Sequence, residues 1–162
     1  MTDTTVVDAL PQALLNALAR HLESTYPAEG CALIFKTAEG RLALCPVPNQ
    51  ITGPAARHTY AIDPLEIIRA QAQGWSLWAI CHSHCDTDVR FSVMDRHQAL
   101  GPGGQPLWPG CVYGVVLVEA GRAAQVAFYG WSDAAHGFEQ TQTRGLAPET
   151  IQEGSNGPQS TN

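Results

Sequence analysis

Leu14, Leu15, Leu18 and Leu22 recur at the spacing of a single helix face. Residues 7–23 therefore read as an amphipathic helix, with Pro11 in an early turn, where a missing N–H costs least. The pattern then changes period. Cys31 to Lys36 is a short apolar run, Glu39-Gly40 is a turn signal, and Arg41 to Val47 is a second run, which together predict a hairpin. Pro, Asn and Gly mark a loop from Pro46 to Pro54, and His58 to Ile62 reads as a third short strand. Asp63 is placed as the N-cap of a helix with Pro64 at its first position, running to about Gln73 with Leu65, Ile68 and Ala72 inward and Gly74 ending it.

Trp75 to Ser83 is apolar enough for a buried central strand. A short helix is expected from Ser92 to Leu100, followed by a Gly- and Pro-rich loop from Gly101 to Gly110. Val112 to Glu119 is the most apolar strand; it turns at Ala120-Gly121 and pairs with Arg122 to Trp131. Beyond Ser132 the apolar signal fades, and Thr141 to Asn162 carries only Leu146 and Ile151 as large apolar residues. One domain is expected over residues 1–138, with a disordered tail over 139–162. No internal repeat is visible. Strands interspersed with helices, with hairpins at both ends, predict an α+β or three-layer α/β/α-like fold with a mixed sheet.

At 162 residues the chain is long enough to bury a core without staples. Its formal net charge of −6, with 9 Lys and Arg spread along the sequence, argues against a nucleic-acid surface, which needs clustered cations. Cys31, Cys45, Cys81, Cys85 and Cys111 form no Cys-x-x-Cys pair, and three of them sit in apolar strands, so reduced thiols in a cytoplasmic protein are expected. Met1-Thr-Asp-Thr-Thr does not open a signal peptide, and no apolar run approaches the ~20 residues of a membrane span.

The chemistry concentrates between His82 and Asp95. His82 and His84 are two apart on one strand, so both imidazoles leave the same face and can converge on one ion. Ser92 is placed as a helix N-cap and Asp95 at the third helical position, a capping-box pattern that also sets the Asp95 carboxylate in the first turn beside the Ser92 hydroxyl. Two imidazoles and one carboxylate are a ligand set of catalytic zinc, with a fourth position open for water. The plain alternative is a surface or core histidine pair followed by an ordinary capped helix. A cytidine deaminase would need His-x-Glu with Pro-Cys-x-x-Cys, and a thermolysin-like protease His-Glu-x-x-His; neither is present.

The string His82-x-His84, seven residues, Ser92-x-x-Asp95 resembles the JAMM motif of the MPN (Mov34/PAD-1) metallopeptidases. Pro27-x-Glu29 before Cys31-Ala-Leu-Ile34 is similar to the upstream segment of the prokaryotic members, where Pro-x-Glu precedes the first strand. The likeness extends through the Asn49 turn, Tyr60-Ala-Ile-Asp-Pro64 and Pro109-Gly-Cys-Val-Tyr113, covering about residues 8–132. Cys85 stands where the family commonly has Pro and Ala32 where it commonly has Gly; neither position is a ligand.

The resemblance implies the MPN/JAMM fold, a curved mixed sheet flanked by helices and related to cytidine deaminases. It implies Zn2+ on His82, His84 and Asp95, Glu29 as general base, and hydrolysis of a peptide or isopeptide bond after the C-terminal tail of a ubiquitin-like or sulfur-carrier protein. Ser92 is the expected stabiliser of the developing oxyanion. A phage-tail-type cell-wall peptidase and an inactive MPN scaffold that only binds partners are the competing readings. Cys85 is read as a bystander thiol rather than a fourth ligand, and Asp86, Asp88 and Arg90 as a solvated loop able to contact substrate. His21, His58, His97 and His136 are expected on the surface or in the core, and Trp75, Trp78, Trp108 and Trp131 in the core or at its rim. Substrate choice is expected to depend on the loops at 46–57 and 101–110.

Overall fold

A computed structural model describes residues 10–146. Six strands form one mixed sheet in the order β2-β1-β3-β4-β5-β6. In chain order these are α1 (Gln12–Thr25), β1 (Cys31–Lys36), β2 (Leu42–Val47), α2 (Pro64–Ala72), β3 (Ser76–Cys85), α3 (Val93–Ala99), β4 (Val112–Glu119), β5 (Arg122–Ser132) and β6 (Gly137–Gly145). β3 and β4 run parallel, and the other pairs are antiparallel. The β3–β4 crossover is the segment that carries α3, as a parallel connection requires.

The side-chain alternation of the strands divides the core between two faces. Leu15, Leu18 and Leu22 of α1 pack on Ala32, Ile34, Ala79, Cys81, Val116 and Phe128. On the opposite face Ile67 of α2 and Ala99 of α3 pack with Leu33, Ile80, Tyr113, Val115 and Tyr129. The result is helix, sheet, helices, the layered α+β arrangement expected from the sequence. His82 and His84 continue the row of Ile80, so they lie on the face of α2 and α3.

Several expectations are corrected. The strand expected at 58–62 does not form. The Asn49 side chain takes the Thr59 carbonyl and the Ala61 amide, and the Gln50 amide takes the Ala61 carbonyl, so the backbone there is satisfied without a ladder. A short 3-10 turn at Gly53–Arg57 precedes it. α2 is rotated from the expected face: Ile67 is buried, whereas Leu65 and Ile68 are 48% and 51% exposed and Ala72 is exposed too. α1 starts at Gln12 with Pro11 at its N-cap, and residues 7–9 of the expected helix lie outside the described residues.

The boundary at 138 is also too early. β6 pairs with β5 to Gly145, so 139–145 belong to the sheet. This edge strand is mostly polar and exposed, with Phe138 as its buried anchor, so no apolar run announced it. The expected tail beyond it lies outside the described residues from 147 onward. Among the described residues no helix is long and apolar enough to cross a membrane.

Candidate metal centre

His82 and His84 reach the site because β3 is central, flanked by β1 and β4; His82 pairs with Cys31 on one side and Val115 on the other. Asp95 arrives from the first turn of α3. Phe91, just before the N-cap, is buried against Tyr113, Tyr129 and Phe138 at ring-centroid distances of 5.1–5.3 Å. Arg96 donates to the carbonyls of Phe91 and Phe138, and the Tyr129 hydroxyl donates to the Val89 carbonyl. The helix start is thus fixed over the strand end by packing on both sides, and β6 supplies part of that anchor.

The capping box is complete: the Asp95 amide donates to Ser92 Oγ at 3.0 Å and the Ser92 amide donates to Asp95 Oδ2 at 3.0 Å. That same Oδ2 lies 3.1 Å from His84 Nε2 and 3.3 Å from His82 Nε2, while the two Nε2 atoms are 3.2 Å apart. Donors on one face of a tetrahedron are roughly 3.3 Å apart when each sits about 2.0–2.1 Å from the ion. The triangle has that size, and its three residues are all buried. His84 Nδ1 donates to the Asp88 carbonyl at 2.9 Å, which directs the Nε2 lone pair inward. The residues present therefore fit a small divalent cation.

Electrostatics agree with this arrangement. Burial alone would raise the Asp95 carboxyl, but the two imidazoles and the Ser92 amide outweigh it and hold the carboxylate far below its ordinary range. Burial lowers His82. Burial also disfavours charged His84, but hydrogen bonding and attraction to Asp95, with Glu29 adding, raise it on balance.

Glu29 sits just before β1, 5% exposed, with Oε2 lacking a hydrogen-bond partner among the described residues. Burial pushes its pKa up to about 8, with Asp95 adding and His84 opposing. The next residue fastens it to the histidine strand: the Gly30 amide donates to Ser83 Oγ at 2.8 Å, and the Gly30 carbonyl accepts from the Ser83 amide at 3.0 Å. Gly30 is needed for this approach, because a Cβ there would overlap Thr25 Oγ1 of α1. Glu29 is held from the other side too, its amide donating to the Ala56 carbonyl and its carbonyl accepting from Asn49.

All five residues singled out in the sequence, Glu29, His82, His84, Ser92 and Asp95, thus meet in one region. Cys85 stays outside the donor triangle, its thiol turned to the Ala28 carbonyl at 3.6 Å. All five cysteines are free thiols. His21 contacts the Cys31 carbonyl, and His58, His97 and His136 are exposed. Trp75, Trp78, Trp108 and Trp131 are all half-buried at the core margin. The loop at 46–57 lines a cleft of about 540 Å³ with Glu29, and Trp108 of the later loop lines one of about 270 Å³ with Tyr60 and Ile80. Sequence reasoning gave no role to Ser83 or Tyr60 and left Asn49 as a turn residue. Their signals are contacts to distant segments, side chain to backbone for Ser83 and Asn49 and ring to ring for Tyr60, which spacing does not reveal.

A family model described as prokaryotic homologs of the JAB domain matches residues 11–129. A solution structure of a protein from Salinibacter ruber (strain DSM 13855) is similar at 25% identity and TM-score 0.55, covering 80% of this chain and 86% of that one. A solution structure of a protein from Desulfitobacterium hafniense is similar in fold at 20% identity and TM-score 0.56, covering 78% of this chain and 84% of that one. No curated protein matches the chain. With the family model spanning most of the chain and both the histidine pair and Asp95 inside the matched span, this protein belongs to the prokaryotic homologs of the JAB domain.

Proposed function

We propose that the protein is a zinc-dependent peptidase or isopeptidase that cuts after the C-terminal tail of a ubiquitin-like or sulfur-carrier protein. The observation that carries this reading is the triangle of His82 Nε2, His84 Nε2 and Asp95 Oδ2, whose edges of 3.1–3.3 Å are those of a tetrahedral zinc face. Zinc held there would supply an acidified water and a Lewis acid for the scissile carbonyl.

The remaining work falls to the chain's own groups. Glu29 takes a proton from the attacking water and returns it to the leaving amine, the α-amine of a peptide or the ε-amine of a lysine isopeptide. Its burial and its unpartnered Oε2 suit a group that must exchange a proton, since among the described residues no other bond competes for that oxygen. Ser92 Oγ accepts from the Asp95 amide, which leaves its hydroxyl hydrogen to donate to the developing oxyanion. Asp95 Oδ2 is tied to the Ser92 amide, so the ligand and the oxyanion donor move as one unit.

The test uses zinc-loaded protein and fusions in which a ubiquitin-like fold with an extended tail is joined either in line or through a lysine ε-amine. Cleavage after the tail, lost in Glu29→Gln, is the expected result. Bound zinc with both substrate types intact would favour the partner-binding scaffold.

A further inference from the structure

A metal-ligating histidine is ordinarily held by a hydrogen bond on its second ring nitrogen. His84 has that bond, to the Asp88 carbonyl. His82 does not: it is fully buried, and its Nδ1 has no hydrogen-bond partner among the described residues. What lies against its ring instead is Tyr60, stacked with centroids 4.1 Å apart and planes 21° from parallel.

Tyr60 is buried yet belongs to no helix or strand, so something must fix the backbone beneath it. Asn49 does this from both sides. Its Nδ2 donates to the Thr59 carbonyl and to the Glu29 carbonyl, each at 3.1 Å. Its Oδ1 accepts from the Ala61 amide at 3.1 Å and from the Ile51 amide at 2.9 Å. Two carbonyls and two amides fix which end of the side chain faces which partner, and the amide's donor and acceptor groups are all engaged. One side chain thereby joins the residues flanking Tyr60 to the segment that presents Glu29.

We propose that Asn49 is a positioning residue for the metal centre, orienting His82 through the stacked Tyr60 ring and Glu29 through its carbonyl, in place of the Nδ1 hydrogen bond that His82 lacks among the described residues. The inference rests on the metal-centre reading above. Tyr60 transmits the constraint by ring packing, so its face matters and its hydroxyl does not.

The test is zinc affinity, measured by competition with a chromophoric chelator, for the full chain and for Asn49→Ala, Asn49→Asp, Tyr60→Leu and Tyr60→Phe, with thermal melts of each metal-free protein. Asn49→Asp keeps an acceptor toward Ile51 and Ala61 and removes both donations. Asn49→Ala, Asn49→Asp and Tyr60→Leu should weaken zinc binding about 10–100-fold, the usual effect of losing a ligand's outer support. Tyr60→Phe, which keeps the ring, should stay within about threefold of the parent. At saturating zinc, Asn49→Asp should also lose about tenfold or more in kcat with KM little changed, because Glu29 is misplaced. Folded Asn49→Ala or Tyr60→Leu protein that binds zinc as tightly as the parent overturns the proposal and leaves the proposed function standing. Should an Asn49 variant not fold, the Tyr60→Leu and Tyr60→Phe pair decides: equal affinities overturn it. A parent protein that binds no zinc overturns both readings.

Discussion

Ser92 and Asp95 are hydrogen-bonded to each other twice, and one of these bonds ends on the Asp95 oxygen that faces both histidines. Helix capping is therefore compatible with metal ligation by the same carboxylate. The cap holds Oδ2 at a fixed place over the end of β3, and the positive end of the α3 dipole suits a carboxylate.

Ser92→Ala separates the serine's cap from its proposed role as oxyanion donor. Loss of the cap should cost about 0.5–2 kcal/mol, read as a shift of the urea midpoint. Loss of the oxyanion donor should lower kcat about 10²–10³-fold at full zinc occupancy. A variant that shows the stability loss with unchanged kcat would leave Ser92 as a cap and nothing more.

Glu29 makes a pH-dependent signature in the metal-free protein. Its folded pKa of about 8 lies above the ordinary 4.5, so the folded state holds this proton more tightly. The stabilisation it gives is complete below about pH 4.5 and is lost as pH rises through about 8. Glu29→Gln, neutral throughout, should flatten the decline in stability between pH 5 and 9 by about 1–3 kcal/mol, allowing for water that screens part of the penalty. With zinc loaded, the same variant should keep its metal and lose hydrolysis. Parallel pH curves for the two metal-free proteins would mean that Glu29 titrates as an ordinary surface carboxyl.

Gly30→Ala probes the junction between Glu29 and the strand that carries His82 and His84. The added Cβ overlaps Thr25 Oγ1 and lies 2.9 Å from Leu22 Cδ2, so these side chains of α1 or the backbone at Gly30 must give. The expected loss is about 1–3 kcal/mol in stability. Because both backbone groups of Gly30 bond to Ser83, a shift also displaces Glu29, and kcat should fall while zinc content stays near that of the parent. Unchanged stability and kcat would show that the junction has slack.

What was legible in the sequence is what is local. The two-residue spacing of His82 and His84 and the three-residue spacing of Ser92 and Asp95 are properties of one strand and one helical turn, and both hold in the structure. Glu29 has no such local signature and emerged from the resemblance to a family. Asn49 and Tyr60 were opaque for a different reason: Asn49 acts on Glu29 across 20 residues and on the backbone of Thr59 and Ala61, while Tyr60 meets His82 only after folding. The face of α2 was misread because Leu65, Ile67 and Ile68 are all apolar, so hydrophobicity alone does not choose between two rotations. β6 was missed because an edge strand with Thr and Gln on its exposed positions lacks an apolar run.

The most direct measurement is the zinc content of purified, tag-free protein by elemental analysis, with Asp95→Ala prepared alongside. The expected result is about one zinc per chain in the parent, the stoichiometry of a single three-donor site, and little or none in the variant. A parent that stays metal-free after zinc is supplied, or an Asp95→Ala protein that retains a full equivalent, would contradict the assignment of His82, His84 and Asp95 as the ligands.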